Sequence, residues 1–139
     1  MKKPTKRPTG LTQNTGYQIG ARRTINLPAA EAWELVTSIE GVNLWLGPTS
    51  DFSFKKGTRY ELTDGSYGTI RVYTPGSHLR ITWQPRGWAR PSTIQVRVIP
   101  KGNSSIIAFH QEHLPDAAER EERREHFIRA LDALEKLSG

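Results

Sequence analysis

Histidine and glutamate crowd together near residue 112. His110, Glu112 and His113 fall within four positions, and a base held by a carboxylate is a usual starting point for proton-transfer chemistry. The stretch they occupy reads as a strand, in which residues two apart share a face. Ile107, Phe109, Gln111 and His113 then form one row, and Ile106, Ala108, His110 and Glu112 the other. The first row is bulkier and more apolar at its centre and is predicted to face inward. That leaves His110 and Glu112 as a pair on the wet face. No Ser-His-Asp order and no phosphate-cradling glycine loop appears. His78, His110, His113 and His126 lack the spacing of a metal-ligand motif. Cysteine is absent, which rules out thiol catalysis, thiolate metal sites and disulfides. The sequence therefore predicts no catalytic residue, no metal and no cofactor, and favours binding over catalysis.

Binding asks only for an apolar pocket with a few polar groups. Trp45, Trp83, Trp88, Phe52, Tyr60 and Phe109 are suitable wall material. The same residue types build cores, and Trp83 reads equally as core or wall. Trp88 differs, because it lies in the loop PRGWARP, Pro85 to Pro91. A large ring there has little core to enter, so it is expected either to form a lid or to stack on Arg86 or Arg90.

Near the end of the sequence, Phe127, Ala130, Leu131, Leu134 and Leu137 recur at helical spacing. Three and four residues back, the same stripe reaches Arg120, Arg123 and Arg124. Its inner face thus changes from apolar to cationic. The plainer reading is a solvated half-helix with pairs such as Glu119–Arg123.

The elements that would position these residues follow from the rest of the chain. Its 139 residues suit one domain with a real core. Hydrophobic content is 35 %, and no stretch nears the ~20 apolar residues of a membrane span. No apolar segment follows the basic start, so no secretory signal is expected. Of the net charge of +6, four units come from Lys2, Lys3, Lys6 and Arg7. Residues 1–16 read as a disordered basic tail, and residues 17–139 as the folded domain. The charge thus belongs largely to the tail, which argues against a nucleic-acid partner. Arg71, Arg80 and Arg97 do fall on predicted wet-face positions.

Tyr17 to Ile25 is predicted as a first strand, with Arg23 the exception to its alternation. In NLPAAEAWELVTSI, Asn26 can cap and Pro28 can open a helix carrying Ala29, Ala32, Trp33, Val36 and Ile39. Val42 to Trp45 suggests a second short helix. Six strand candidates follow: Phe52–Phe54, Tyr60–Thr63, Thr69–Thr74, His78–Gln84, Thr93–Pro100 and Ser105–His113. Gly- and Pro-rich turns separate them. Asp116 can cap the final helix, and Glu119 completes a capping-box pattern. That helix would span roughly 33 Å to Leu137. An antiparallel sheet with one apolar face needs a cover, and this helix carries the matching stripe.

The order of elements resembles the START-like, or helix-grip, superfamily, and more narrowly the family named after the activator of the heat-shock-protein-90 ATPase. The residues that carry this are LPAAEAWELVTSIEGVNLWLGP (Leu27 to Pro48), PGSHLRITW (Pro75 to Trp83), HLPD (His113 to Asp116) and FIRALDALEKL (Phe127 to Leu137). The likeness covers Tyr17 to Leu137. It departs where family members often have Gly-Trp and this chain has His126 and Phe127, and where they often have His and this chain has Gln111.

The resemblance implies an α+β helix-grip fold: a curved antiparallel sheet of about six or seven strands wrapped around the last helix, with two short helices after the first strand. It also implies a cavity between sheet and helix. Trp45, Phe52, Tyr60, Trp83, Trp88, Phe109, Gln111, His113, Phe127 and Leu131 would line it. Separately from the resemblance, helical spacing puts Arg120 and Arg123 on the inner stripe, where they could hold the carboxylate of an amphipathic ligand if that half of the helix lies over the cavity mouth. The expected function is non-enzymatic binding of an apolar or amphipathic small molecule, as carrier or sensor, in the cytoplasm. The alternatives are a chaperone-associated protein-binding module and a small cyclase- or hydrolase-like enzyme using His113 or an ordered water.

Overall fold

Asp116 starts the helix on which the fold closes. In a computed structural model, which describes residues 11–12 and 16–139, its carboxylate accepts the Glu119 backbone N–H at 2.8 Å. The helix α3 then runs without interruption over Ala117–Leu137. Before it come β1 (Leu11–Thr12), β2 (Gly16–Ile25), α1 (Ala29–Thr37), α2 (Ile39–Trp45), β3 (Arg59–Glu61), β4 (Tyr67–Thr74), β5 (His78–Trp83), β6 (Ser92–Lys101) and β7 (Ser104–Leu114).

The strands form one antiparallel sheet in the order β1-β2-β7-β6-β5-β4-β3. Short turns make β3 to β7 a meander, and β2 returns to pair with β7 along its length. Irregularities between Tyr17 and Ile19 and between Ile70 and Val72 bend the sheet. Its concave face is apolar in register. Leu79, Val96 and Phe109 lie side by side, as do Ile81, Ile94 and Gln111. All six are buried.

Phe127 of α3 stacks on Phe109 at 4.9 Å, and Leu131 and Leu134 continue the buried stripe. The α1–α2 pair closes the rest. Trp45 reaches Phe109 at 5.8 Å and donates its indole N–H to the Val36 carbonyl at 2.8 Å. Arg23, the exception in the first strand, has a partner: it crosses from β2 to Asp132 and Glu135 of α3. The architecture is the α+β helix grip.

Several boundaries differ from expectation for local reasons. Phe52 to Phe54 is not a strand. Its rings pack on each other and on Tyr60 and Tyr73, so their spacing reports side-chain burial without a ladder. Asn26 does not cap α1, which begins after Pro28 without a side-chain cap. The second helix starts earlier than Val42, because Ser38 Oγ accepts the Gly41 N–H at 3.0 Å and opens it at Ile39. Of the expected tail, Leu11 and Thr12 pair with Tyr17 and Gly16, and Gly16 opens β2; residues 1–10 and 13–15 lie outside the described residues.

Candidate functional site

The concave face changes character under the first half of α3. There the sheet offers Gln111 of β7, Ser92 of β6 and Trp83 of β5, and the helix lowers Arg123 onto them. Arg123 is only 7 % exposed, and Gln111 and Ser92 are fully buried. The polar atoms form a chain. Arg123 Nε donates to Gln111 Oε1 at 2.9 Å, Gln111 Nε2 donates to Ser92 Oγ at 2.8 Å, and Ser92 Oγ donates to the Trp83 carbonyl at 2.8 Å. The guanidinium carbon lies 4.0 Å from the Trp83 ring centre and 5.1 Å from that of Phe127. An arginine can be buried this way because its charge is delocalised and its flat face is weakly hydrated.

The electrostatics follow from burial. Desolvation lowers the Arg123 pKa to about 10, against the pull of Glu119, Glu122 and Tyr60, so it stays charged at neutral pH. Burial likewise pushes the Tyr60 hydroxyl up, with Arg123 opposing. Tyr60 is therefore a neutral donor, and its hydroxyl bonds to the Thr82 carbonyl. That bond crosses directly over Gly68, where a Cβ would meet the Thr82 carbonyl oxygen at 1.9 Å. His126 follows Arg123 by three positions on α3 and donates Nε2–H to the Trp45 carbonyl at 2.7 Å. Burial and the Arg123 charge lower its pKa to about 4.

Beside this layer, at the start of α3, lies an open cleft of about 790 Å³. Trp88, Arg90, His113, Leu114, Asp116 and Glu119 are among the residues that line it. Trp88 links the cleft to the buried layer, because its ring meets Trp83 edge-on at 5.4 Å. Glu119 does so from the helix, one turn before Arg123. A second groove of about 560 Å³ runs past Tyr60, Gly68 and Thr82, and Pro91 borders both openings. The Trp88 loop thus stands between them. Gln84 Nε2 donates to the Trp88 carbonyl at 2.6 Å and holds the loop's backbone.

The predicted wall residues are accordingly divided. Trp88 and His113 line the cleft, Trp83 and Gln111 lie in the polar layer, and Tyr60 borders the second groove. Trp45, Phe109, Phe127 and Leu131 are packed into the core. Phe52 belongs to the aromatic cluster with Phe54 and Tyr60, at the edge of the core.

His113 does not complete the inward row. Its φ of 64° is left-handed, which breaks the two-residue alternation, turns its side chain outward and buries Leu114 in its place. His110 and Glu112 form the expected pair on the outer face, 3.4 Å apart. Trp88 meets Trp83, while Arg86 pairs with Glu61. Arg120 is engaged elsewhere, donating to the Gln18 carbonyl at 3.0 Å and to Glu121 at 3.1 Å. Arg71 and Arg80 are exposed, and Arg80 bonds to Gln95 at 3.0 Å. Sequence reasoning missed Ser92 and the Gln111–Arg123 bond. Their signal was present in a buried-row Gln and an Arg on the helix's inner stripe.

The sequence profile of the family described as activator of Hsp90 ATPase homolog 1-like protein matches residues 26–139. The chain belongs to this family. No curated protein matches it. Among solved structures, CalU16 from Micromonospora echinospora superposes with a TM-score of 0.73 at 22 % identity, over 86 % of this chain and 73 % of that one. CV1439 from Chromobacterium violaceum gives 0.72 at 18 %, over 87 % and 96 %. PFC0360w, an HSP90 activator from Plasmodium falciparum, gives 0.60 at 19 %, over 70 % and 74 %. At these identities the likeness is one of fold. Within the family's fold, the two departures noted in the sequence meet at one place: Gln111 holds Arg123, while His126 and Phe127 follow Arg123 on the helix.

Proposed function

We propose that the protein binds a hydrophobic or amphipathic small molecule between the sheet and the first half of α3, as a carrier or sensor. The observation that carries this reading is the 790 Å³ cleft at the start of α3, joined through Trp88 to the aromatic layer beneath. Its volume falls in the range of about 300–1,000 Å³ common for small-molecule sites. Trp88 and Leu114 supply apolar wall, and Arg90, His113 and Glu119 supply polar rim. Among the described residues of the cleft, nothing pairs a nucleophile with a base, so binding accounts for it better than catalysis. The cytoplasm is the setting this reading assumes.

Native mass spectrometry of the purified protein tests it. The expected result is a co-purified small molecule, or a complex formed with an added apolar probe such as 1-anilinonaphthalene-8-sulfonate. The bare mass together with no probe binding overturns the reading.

A second reading, a chaperone-associated protein-binding module, has its own support. Ile39, Leu44, Ala133 and Leu137 form an apolar depression between α2 and the end of α3. Ile39 and Leu137 are exposed there, 41 % and 47 %, and an exposed apolar patch suits a protein partner. Stimulation of an Hsp90 ATPase that is lost in the Ile39→Ser and Leu137→Ser variants supports this reading. No stimulation by the unaltered chain removes it.

A further inference from the structure

Among the described residues, two buried side-chain nitrogens lack any hydrogen-bond partner: Arg123 Nη2 and Trp83 Nε1. Buried polar groups are nearly always satisfied, so each orphan needs a reason. Here the two belong to a single stacked pair, with the guanidinium 4.0 Å above the indole. Both are donors, and neither can accept. A group that completed such a pair would have to be an acceptor, best an anion.

The surroundings are built to leave those donors over. Gln111 and Ser92 are already spent on one another and on Arg123 Nε and the Trp83 carbonyl. Tyr60 directs its proton to Thr82. The neighbouring arginines of α3, Arg120 and Arg124, are both paired with Glu121. Arg123 is held instead by one amide and two aromatic faces. It is thus a fixed, desolvated cation that retains one free donor edge. Glu119 and Glu122 act on it through space, but among the described residues neither bonds to it. A desolvated charge without a bonded partner is expensive, and a carboxylate bound directly to Nη2 would recover part of that.

The cleft lies next to this pair. Trp88 borders both, and Glu119 on the rim is one helical turn from Arg123.

We propose that Arg123 Nη2 and Trp83 Nε1 form an anion site for a flat, apolar monocarboxylate. Its carboxylate takes the two free donors, and its apolar body occupies the cleft as Trp88 turns aside. This deepens the small-molecule reading and rests on it. Charge-assisted bonds in a desolvated site are the strong ones, and here they would select acids over their neutral analogues.

The test compares 2-naphthoate with neutral 2-naphthalenemethanol on the full chain. Calorimetry gives affinity, and nitrogen-15 NMR follows the indole N–H resonances. The acid is expected to bind the unaltered protein about tenfold tighter or more. The Trp83 indole resonance should move with the acid and stay with the alcohol. Arg123→Met should bind both probes alike. Equal binding of the two probes to the unaltered protein, with the Trp83 resonance still, overturns the anion site and leaves the cleft reading standing. No binding of either probe overturns both. Should Arg123→Met fail to fold, the comparison on the unaltered protein decides alone.

Discussion

Arg123 and Gln111 are joined across the helix–sheet boundary by one 2.9 Å hydrogen bond, both side chains buried. That bond ties α3 to β7 at the point where the apolar core gives way to the polar layer. Through Ser92 it extends to the Trp83 carbonyl. Losing either partner therefore strands the other.

A double-mutant cycle should show this. Gln111→Leu leaves Arg123 Nε without its acceptor, while Ser92 Oγ loses a donor but keeps its bond to the Trp83 carbonyl. The loss is expected to destabilise by about 2–4 kcal/mol. Arg123→Met strands only a neutral amide oxygen while removing the buried charge, and is expected to be milder. The double variant should be more stable than the sum of the two losses predicts, with a coupling of about 1–3 kcal/mol. Urea denaturation measures all four corners of the cycle. Simple additivity would show that the bond does not link the two elements.

His126 predicts a pH dependence. Its folded pKa, about 4, lies below the ordinary value of 6.5, because burial and Arg123 disfavour its charged form. Below pH 6.5 the unfolded chain binds a proton that the folded chain resists. The stability this group contributes is thus complete above about pH 6.5 and declines as pH falls towards 4. The full loss is on the order of 3 kcal/mol at most. His126→Gln keeps a donor for the Trp45 carbonyl and removes the titration. Melting temperatures between about pH 4 and 6.5 should therefore fall less steeply in the variant. Parallel curves would assign the acid sensitivity to other groups.

Gly68 is predicted to tolerate no side chain. A Cβ there would meet the Thr82 carbonyl oxygen at 1.9 Å and the Tyr60 hydroxyl at 2.6 Å. Neither can yield cheaply, since one is backbone and the other is bonded to it. Gly68→Ala should cost about 2 kcal/mol or more. In the Tyr60→Phe background the hydroxyl is gone but the carbonyl contact remains, so most of the cost should persist. A substitution without effect on the urea midpoint would mean that β4 and β5 can part there.

Much of this architecture is legible in the chain. The strand periodicity, the Asp116 cap and the Phe127 stripe carry enough local information to place the sheet and α3. Arg23 breaks the alternation of its strand and finds its reason only in Asp132 and Glu135, more than a hundred positions away. His113 departs from its expected row because alternation assumes extended backbone, and its left-handed φ lies at the bulge where Tyr17 pairs with Leu114 but Ile19 with Gln111. The site is half legible. An inward arginine can be read from helical spacing, but its bond to Gln111 and its stacking on Trp83 depend on how far the sheet curls. No local pattern encodes that distance.

Trp88 should govern access. It is half-buried, meets Trp83 edge-on at 5.4 Å and lines the cleft, while its backbone carbonyl is held by Gln84 at 2.6 Å. Trp88→Ala removes the ring and leaves that backbone bond in place. Because the ring packs at the mouth and not in the core, the variant should lose only about 1 kcal/mol of stability. Association of a neutral probe such as 2-naphthalenemethanol should become faster, since no ring has to move aside first. Dissociation should quicken as well, because the bound probe loses an aromatic wall. Stopped-flow fluorescence of the naphthalene probe separates the two rates. Unchanged association with faster dissociation would make Trp88 a wall of the cleft and not its gate.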